Sequence, residues 1–250
     1  MIKRILSFSG LALAGILHTG FIIIRHDVDD ARYIEFGKRF TMLCHFPMGE
    51  GTWIGGKWVL TAGHLGRDLA RDIQDGRNPT AVINGTAYDI EKVMVHPDFE
   101  PIVNDVALVK LKLKVKGDTP AYLYYTSDET GKMIALAGRG DIGTGLTGPQ
   151  RWDKITRGAT NKIDSADGRW IWFKFDAPDS PNVTELEGIS GPGDSGGPAF
   201  IEKEGKFFLV GISSHQKSDG PRGRYGVTEY YTRVSMYQKW IDSVIRSDPN

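Results

Sequence analysis

Residues 193–198 read Gly-Asp-Ser-Gly-Gly-Pro, which is the composition of a loop built around one reactive serine. A serine hydroxyl is a weak nucleophile at neutral pH, so a catalytic serine needs a neighbouring base and donors for the developing oxyanion. The glycines allow backbone turns that side chains forbid, and they let a substrate approach closely. The stretch predicts a nucleophile at Ser195 and an oxyanion hole formed by the backbone amides of Gly193 and Ser195.

Two other short motifs supply candidate partners for this serine. Residues 58–64 read Trp-Val-Leu-Thr-Ala-Gly-His, an apolar, strand-like run that ends in His64. Residues 104–111 read Asn-Asp-Val-Ala-Leu-Val-Lys-Leu and place Asp105 at the start of another apolar run. Histidine is the most frequent general base in enzymes, and a carboxylate can orient its imidazole. The sequence therefore offers a His, Asp and Ser set whose members each lie beside a predicted strand.

The order of these motifs resembles that of the chymotrypsin/trypsin family of serine endopeptidases. The resemblance covers residues 39–246 and includes Val-His-Pro at 95–97 and Tyr-Thr-Arg-Val at 231–234. It implies two packed six-stranded antiparallel β-barrels, closed by a C-terminal helix, with the active site in the cleft between them.

The resemblance also implies a role for each candidate residue. Ser195 is the nucleophile, His64 takes and returns its proton, and Asp105 holds the imidazole in the right tautomer. Ser214 stands where the family has a serine that supports the buried aspartate, and the adjacent Ser213 is a second candidate. The expected reaction is peptide-bond hydrolysis through an acyl-enzyme. The alternative is a catalytically silent relative that uses the two barrels for binding, and the complete triad favours the enzyme.

The distribution of turn residues supports an all-β fold. The chain holds 31 glycines and 12 prolines, which punctuate many short apolar or alternating runs, a pattern typical of sandwiches and barrels. Helical spacing of apolar residues predicts one helix, at residues 235–246. The predicted strands lie at residues 39–46, 53–61, 80–83, 90–95, 106–114, 132–137, 170–175, 207–212 and 230–234.

The predicted organisation has three parts. Residues 1–22 are expected to be a signal peptide, because Lys3 and Arg4 precede an apolar run that is too short to span a bilayer comfortably. An uncleaved anchor is the alternative. Residues 23–120 form the first barrel with the histidine and aspartate, and residues 121–250 form the second barrel with the serine and the helix. We therefore expect a secreted or periplasmic protein.

The single cysteine, Cys44, cannot form an internal disulfide. Animal members of the family rely on several bridges, and the one that pins the histidine loop would join the positions of Leu65 and Gly49 here. We therefore expect a bacterial-type member that lacks disulfides and folds on a sufficiently large core.

Asp194 is the expected partner of a free N-terminus, because family members that are activated by cleavage pair a new isoleucine N-terminus with this aspartate. The candidate isoleucines are residues 22–24, but no lysine or arginine precedes them. One hypothesis is that removal of the signal peptide exposes an isoleucine directly. The other is that Asp194 has a different partner and no zymogen exists.

The substrate pocket is expected to involve Ile189, Ser190, Gln216 and Glu229. An apolar Ile189 at the pocket floor disfavours a basic side chain before the scissile bond, since an unpaired buried charge is costly. Gln216 narrows the pocket, and the sequence predicts a small or medium apolar side chain at this substrate position (P1). Glu229 complicates this prediction, since an acidic residue at a pocket wall can restore a preference for a basic P1 side chain. Ser190 and His215 raise a glutamate-specific alternative.

The charge composition is balanced. Lysine and arginine total 31, as do aspartate and glutamate, so the sequence gives no electrostatic case for nucleic acid or an anionic membrane surface. The acidic residues around His26 lack the spacing of a calcium loop. We therefore expect a monomer that acts on a protein or peptide, without a metal, a cofactor or stable membrane association.

Overall fold

The computed structural model describes residues 22–117, 119–151 and 153–248, so the predicted signal peptide lies almost wholly outside the described residues. The strands, in chain order, are β1 Ile23–Ile24, β2 Leu43–Phe46, β3 Gly49–Gly55, β4 Trp58–Thr61, β5 Thr80–Ile83, β6 Thr86–Val95, β7 Ala107–Leu111, β8 Tyr122–Leu123, β9 Met133–Gly138, β10 Ile142–Thr144, β11 Gly148–Arg151, β12 Arg157–Lys162, β13 Ser165–Asp167, β14 Trp170–Lys174, β15 Gly188–Ile189, β16 Pro198–Lys203, β17 Lys206–Lys217 and β18 Thr228–Arg233. The helices are α1 Asp30–Gly37, α2 Gly63–Gln74 and α3 Gln238–Ser247, with a 3₁₀ turn at Val234–Tyr237.

The first half of the chain is a closed antiparallel barrel. Its six strands follow the order β2-β3-β4-β7-β6-β5, and β5 pairs back to β2 to complete the ring. Strands β4 and β7 are buried along their whole length, and apart from Thr61 and Lys110 their residues are apolar. Their pairing sets Leu60 opposite Leu108 and Thr61 opposite Ala107. This register brings the histidine motif and the aspartate motif to the same end of the barrel.

The second half contains two sheets. One follows the order β12-β9-β16-β17-β18-β14-β13, with β8 pairing alongside β17, and the other follows β11-β10-β1-β15. The all-β class and the first barrel match the expectation, whereas the second half is a curved half-barrel whose ladder stays open within the described residues. Because β1 lies between β10 and β15, the beginning of the described chain packs into the second half rather than the first.

Two of the three α-helices were not predicted. Helix α1 starts at an N-cap, Asp29, whose side chain accepts a 2.9 Å hydrogen bond from the Ala31 amide. The carboxylate oxygen Oδ1 of its first residue, Asp30, accepts a 2.6 Å hydrogen bond from Arg157 Nε. Helix α2 begins inside the apolar motif that ends in His64. The apolar run that predicts a strand continues almost to the first residue of the helix, so the sequence pattern does not show where the strand ends and the helix begins.

The predicted C-terminal helix is present as α3, preceded by the 3₁₀ turn. Ile241 of α3 and Tyr237 of the turn are buried in the core of the first barrel. The Tyr237 hydroxyl lies 3.2 Å from the Asn104 side-chain oxygen, directly beside the aspartate motif. The end of the chain therefore returns to the first half and ties the two halves together. None of the helices in the described residues is long and apolar enough to cross a membrane.

Candidate active site

His64 and Asp105 are joined by three hydrogen bonds. The His64 ring nitrogen Nδ1 lies 2.9 Å from Asp105 Oδ2 and 3.1 Å from Oδ1, and the His64 backbone amide donates to Oδ1 at 2.8 Å. His64 is in the first turn of α2, where backbone amides lack helical partners. The N-cap residue, Ala62, provides no side-chain acceptor. The Asp105 carboxylate therefore caps the helix and orients the imidazole at the same time.

Asp105 is buried, and hydrogen bonds compensate for its loss of hydration. Burial alone would raise its pKa, but the hydrogen bond and charge of His64, with the bond from Ser214, hold the pKa below its ordinary value. Ser214 Oγ donates to Asp105 Oδ2 at 2.6 Å, and Thr232 Oγ1 donates to the Asp105 carbonyl oxygen at 2.9 Å. The carboxylate is therefore ionised at neutral pH and fixed from both halves of the molecule.

The loop that carries Ser195 depends on glycine at two positions. Gly193 has φ +95° and Gly196 has φ +81°, a region that other residues rarely adopt. A Cβ atom on Gly196 would also lie 2.2 Å from Thr61 Oγ1 and 2.3 Å from the Glu50 carbonyl oxygen. The Glu50 amide donates to the Ser195 carbonyl oxygen at 2.8 Å. The first barrel therefore holds the serine loop by direct backbone contact.

Ser195 shares a cavity wall with Ser214, which bonds to Asp105. Within the described residues no hydrogen bond joins the Ser195 hydroxyl to the His64 ring, a common feature of catalytic groups before substrate binds. His64 and Asp105 are thus paired at one end of the first barrel, and Ser195 of the second half lines a cavity together with Ser214, the hydrogen-bond partner of Asp105. Gly193 lies in the same loop as the serine.

Leu65 packs against Gly49 beside the histidine loop. A Cβ atom on Gly49 would lie 2.7 Å from Leu65 Cδ2, so the buried Leu65 side chain fills the space beside this glycine. Cys44 is buried and free, and burial raises the pKa of its thiol well above the ordinary value. A buried thiol of this kind packs as a small apolar group.

The cavity beside Ser195 has a volume of about 230 Å³ and a lining of both polar and apolar surface. Ser190, Gln216 and Glu229, three of the four predicted pocket residues, line it. Ile189, the fourth, lies outside the lining: it pairs with Ile23 and is buried in the second core. The remaining lining residues are Gly191, Pro192, Ser195, Ser213, Ser214, His215 and Arg222.

Glu229 contributes a carboxyl group to the cavity lining. It is fully buried, and Ser190 Oγ donates to its Oε2 atom at 2.8 Å. The Gln216 amide nitrogen donates to Oε1 and also to the Ser190 carbonyl oxygen, the latter at 2.7 Å. Burial raises the pKa of Glu229 to about 8, and the Ser190 and Gln216 hydrogen bonds limit that rise.

Asp194 is buried directly beneath the serine loop. Its two carboxylate oxygens accept hydrogen bonds from the amides of Gly140, at 3.0 Å, and Gly191, at 2.9 Å. Burial raises the pKa of Asp194 well above the ordinary value, and the nearby charge of Glu50 adds to this effect.

The sequence did not indicate a second histidine–carboxylate pair. His45 Nδ1 lies 2.6 Å from Glu50 Oε2, and Glu50 is buried. His45 of β2 and Glu50 of β3 lie directly opposite each other. Their contact could be predicted only from the pairing of these two strands. His215 stacks on Tyr230 with ring centroids 4.9 Å apart, and burial lowers its pKa. Among the described residues no group of three or more His, Cys, Asp or Glu could hold a metal ion.

Comparisons with known proteins agree with this arrangement. A family model described as Trypsin matches residues 39–241. Rat vitamin K-dependent protein C is 31% identical over 224 residues, which cover 78% of this chain and 45% of that protein. Mouse serine protease 56 is 29% identical, with coverage of 82% and 35%, and the mite trypsin Tyr p 3.0101 of Tyrophagus putrescentiae is 29% identical, with coverage of 79% and 72%. The matches span less than half the length of the first two relatives. All three are animal proteins, so the bacterial-type assignment stays a prediction.

A solved structure of neuropsin, a serine protease expressed in the limbic system of mouse brain, has the same fold. It superimposes with a TM-score of 0.65 at 18% identity, over 89% of this chain and 98% of that structure. At this identity the likeness concerns the fold alone. Since the family model covers most of the chain, the protein belongs to the trypsin-like serine protease family.

Proposed function

We propose that this chain is a serine endopeptidase that hydrolyses peptide bonds through Ser195, His64 and Asp105. The supporting observation is the convergence of three elements on one cleft. His64 and Asp105 are hydrogen-bonded at 2.9 Å, Ser214 from the other half bonds to the same carboxylate, and Ser195 lines the adjoining cavity. A silent binding module would not need this arrangement.

The geometry suggests a sequence of steps. Asp105 occupies Nδ1 of His64, so Nε2 is left to accept the proton of the Ser195 hydroxyl during attack on the peptide carbonyl. The amides of Gly193 and Ser195 stabilise the oxyanion. His64 then passes the proton to the leaving amine, and water releases the acyl group from Ser195 by the reverse path.

The cavity beside Ser195 is proposed to receive the P1 side chain. Its volume is about 230 Å³, and the Gln216 side chain extends across it from Glu229 to the Ser190 carbonyl oxygen. The cavity therefore suits a small or medium uncharged group. The pKa of Glu229, about 8, keeps its carboxyl group largely protonated at neutral pH. An uncharged P1 residue is therefore the proposed preference under these conditions.

Export and activation are proposed from the N-terminal segment. A basic pair followed by the apolar run at residues 5–17 supports a signal peptide. Ile22, Ile23 and Ile24 are buried in the second half, and a free amino group at one of them would supply a cation for Asp194. We propose that cleavage ahead of these residues accompanies export and that the secreted or periplasmic enzyme acts as a monomer on protein or peptide substrates.

Labelling with a fluorophosphonate probe tests the proposed function. The probe bonds covalently only to an activated serine, so the processed wild-type protein should be labelled and Ser195→Ala should not. Ser247→Ala, which removes an exposed serine on α3, serves as the matched control and should be labelled like the wild type. Equal labelling of Ser195→Ala, or none of the folded wild type, would contradict the proposal. N-terminal sequencing of the labelled species tests cleavage near residues 22–24.

A further inference from the structure

Asn104, the residue directly before Asp105, has an uncommon backbone conformation. Its φ is +50°, in the left-handed region that asparagine adopts more readily than most residues other than glycine. The Val106 amide donates to the Asn104 carbonyl oxygen at 2.8 Å, so Asp105 is the central residue of a tight three-residue turn. The direction in which the Asp105 side chain leaves the backbone therefore depends on the conformation of Asn104.

The buried Asn104 side chain forms hydrogen bonds to three different parts of the molecule. Its oxygen Oδ1 accepts from Arg169 Nε at 2.9 Å and from the Tyr237 hydroxyl at 3.2 Å. Its nitrogen Nδ2 donates to the Asp98 carbonyl oxygen at 2.7 Å. Because a guanidinium group is a donor only, the atom that faces Arg169 is the amide oxygen, and this contact fixes the orientation of the Asn104 amide group.

Arg169 connects Asn104 to the second half of the protein. It lies in the turn between β13 and β14, and the next residue, Trp170, pairs with Thr232 of β18. Thr232 Oγ1 in turn donates to the Asp105 carbonyl oxygen at 2.9 Å. The second half therefore contacts two consecutive residues of the first half, Asn104 through Arg169 and Asp105 through Thr232.

Tyr237 supplies the other donor, from the 3₁₀ turn that precedes α3. Burial raises the pKa of its hydroxyl to about 12, so the hydroxyl keeps its proton near and above neutral pH. The Tyr237 ring packs against His96 with ring centroids 5.5 Å apart, and burial lowers the pKa of this histidine, which is therefore uncharged at neutral pH. The hydrogen bonds of Asn104 thus do not depend on a side chain that titrates near neutral pH.

We propose that Asn104 is a positioning residue for the triad: together with Arg169 and Tyr237 it fixes the turn that directs the Asp105 carboxylate to His64. The inference rests on the proposed function, because it concerns the residue beside the proposed catalytic aspartate. Asn104 acts only through Asp105, whose Oδ2 atom lies 2.9 Å from His64 Nδ1. In such an arrangement a displacement of about 1 Å lowers the rate about 100-fold, even when it originates away from the reacting atoms.

Replacement by glycine separates the side chain of Asn104 from its backbone conformation. Asn104→Gly keeps the left-handed conformation accessible and removes the side-chain hydrogen bonds, so kcat on a peptide substrate should fall roughly 10- to 100-fold with little change in KM. Asn84→Gly is the matched control, because Asn84 has φ +47° and lies exposed at the turn between β5 and β6. This control should keep the wild-type kcat.

The pH profile distinguishes positioning from a general loss of structure. A carboxylate beside an imidazole favours the protonated imidazole, so a displaced Asp105 should move the acid limb of kcat/KM to lower pH, by about 1 pH unit in Asn104→Gly. Partial unfolding would instead lower kcat/KM at every pH and leave the limb in place. An acid limb that stays in place in Asn104→Gly would contradict the positioning role.

A double-mutant cycle assigns the effect to the hydrogen bonds. Arg169→Ala and Tyr237→Phe should each lower kcat roughly three- to tenfold. In the Asn104→Gly background neither substitution should have a further effect, because the acceptor that the two donors share is absent. Losses that add in the double variants would show that Arg169 and Tyr237 act independently of Asn104.

A measurement without substrate keeps this inference separate from the peptidase activity. The proton between His64 Nδ1 and Asp105 gives a downfield proton NMR resonance while their hydrogen bond is ordered. The resonance should be present in the wild type and in Asn84→Gly, and should shift upfield or disappear in Asn104→Gly. If Asn104→Gly does not fold, Arg169→Ala, which changes an exposed residue, decides the question through the same resonance.

The outcomes separate the two proposals. An unchanged resonance or an unchanged kcat in folded Asn104→Gly overturns the positioning role even if the fluorophosphonate labels Ser195. A displaced resonance in Asn104→Gly, with a folded wild type that the fluorophosphonate does not label, would support the positioning role and contradict the peptidase.

Discussion

The Ser214 hydroxyl donates a 2.6 Å hydrogen bond to Asp105 Oδ2 and thereby joins the two halves of the protein at the carboxylate that orients His64. Asp105 precedes β7 of the first barrel, whereas Ser214 lies on β17 of the second half. The same carboxylate also caps the first turn of α2 through the His64 amide. One buried group therefore couples the orientation of the His64 imidazole to the packing of the two halves.

Replacement of this hydroxyl should weaken catalysis without unfolding the protein. A hydrogen bond to a charged group contributes about 1.5–3 kcal/mol, so Ser214→Ala should lower kcat/KM roughly 10- to 100-fold. The pKa of Asp105 should rise, because the Ser214 bond is one of the interactions that hold it down. Steady-state kinetics on a peptide substrate provides the measurement, with Ser247→Ala as the control. Unchanged kcat/KM in Ser214→Ala would contradict the supporting role.

Gly193→Ala should impair catalysis through the backbone. At φ +95° a side chain is strained, and relief of that strain would rotate the amide that is proposed to bind the oxyanion. We expect kcat to fall by roughly tenfold or more. Gly205→Ala is the matched control, since Gly205 has φ +72° and open space around it on a distant turn. This control should lose some stability and keep its kcat. An equal loss of kcat in both variants would refute the assignment of Gly193.

Leu65→Ala should show how far packing substitutes for a disulfide at the histidine loop. Leu65 is buried against Gly49, next to His64. Truncation of a buried leucine costs about 2–5 kcal/mol of the free energy of unfolding. The exposed Leu113 provides a control, for which Leu→Ala should change stability by about 0.5 kcal/mol or less. Urea unfolding measures both, and equal values would show that Leu65 does not stabilise the loop.

Glu187 should make the stability of the protein depend on pH. Burial raises the pKa of this carboxyl group from its ordinary value of 4.5 to about 7. The folded state then binds the proton more tightly than the unfolded state, so the free energy of unfolding falls as pH rises between these two values. The expected loss is about 3 kcal/mol, at 1.36 kcal/mol per pKa unit.

Glu187→Gln should remove this contribution and make the loss of stability between pH 5 and pH 7.5 smaller, while the raised pKa values of the buried Glu229 and Asp194 leave part of the dependence in place. Urea unfolding at the two pH values supplies the measurement. Glu202→Gln, which alters a partly exposed glutamate paired with Arg39, should retain the wild-type slope. If the slope of Glu187→Gln also equals that of the wild type, the pH dependence arises at other carboxyl groups, and the prediction is wrong.

Contiguous motifs made much of the fold and the cleft predictable from the sequence. The apolar runs that end in His64 and begin after Asp105 are neighbouring strands of the barrel, paired as Leu60 with Leu108. The glycines of the serine loop were visible because they are adjacent to Ser195. Each of these features depends on residues close together in the chain, where turn chemistry and side-chain alternation determine local structure.

The remaining features depended on the register of distant strands. The sequence left Ser213 and Ser214 as alternatives, and a bulge in β17 between Ser213 and His215 directs Ser214 to Asp105 and Ser213 to Ser190. A shift of one residue reverses the face that a side chain occupies, and no local pattern encodes such a shift.

The composition of the cavity was decided in the same way. Pairing of Ile189 with Ile23 draws the predicted apolar floor into the second core, and pairing of β18 with β17 sets Glu229 opposite Gln216 inside the cavity. The sequence by itself determined which residues are candidates for the chemistry, because their motifs are local. Only the tertiary structure decided what surrounds the substrate, because that surface is assembled from strands that are far apart in the chain.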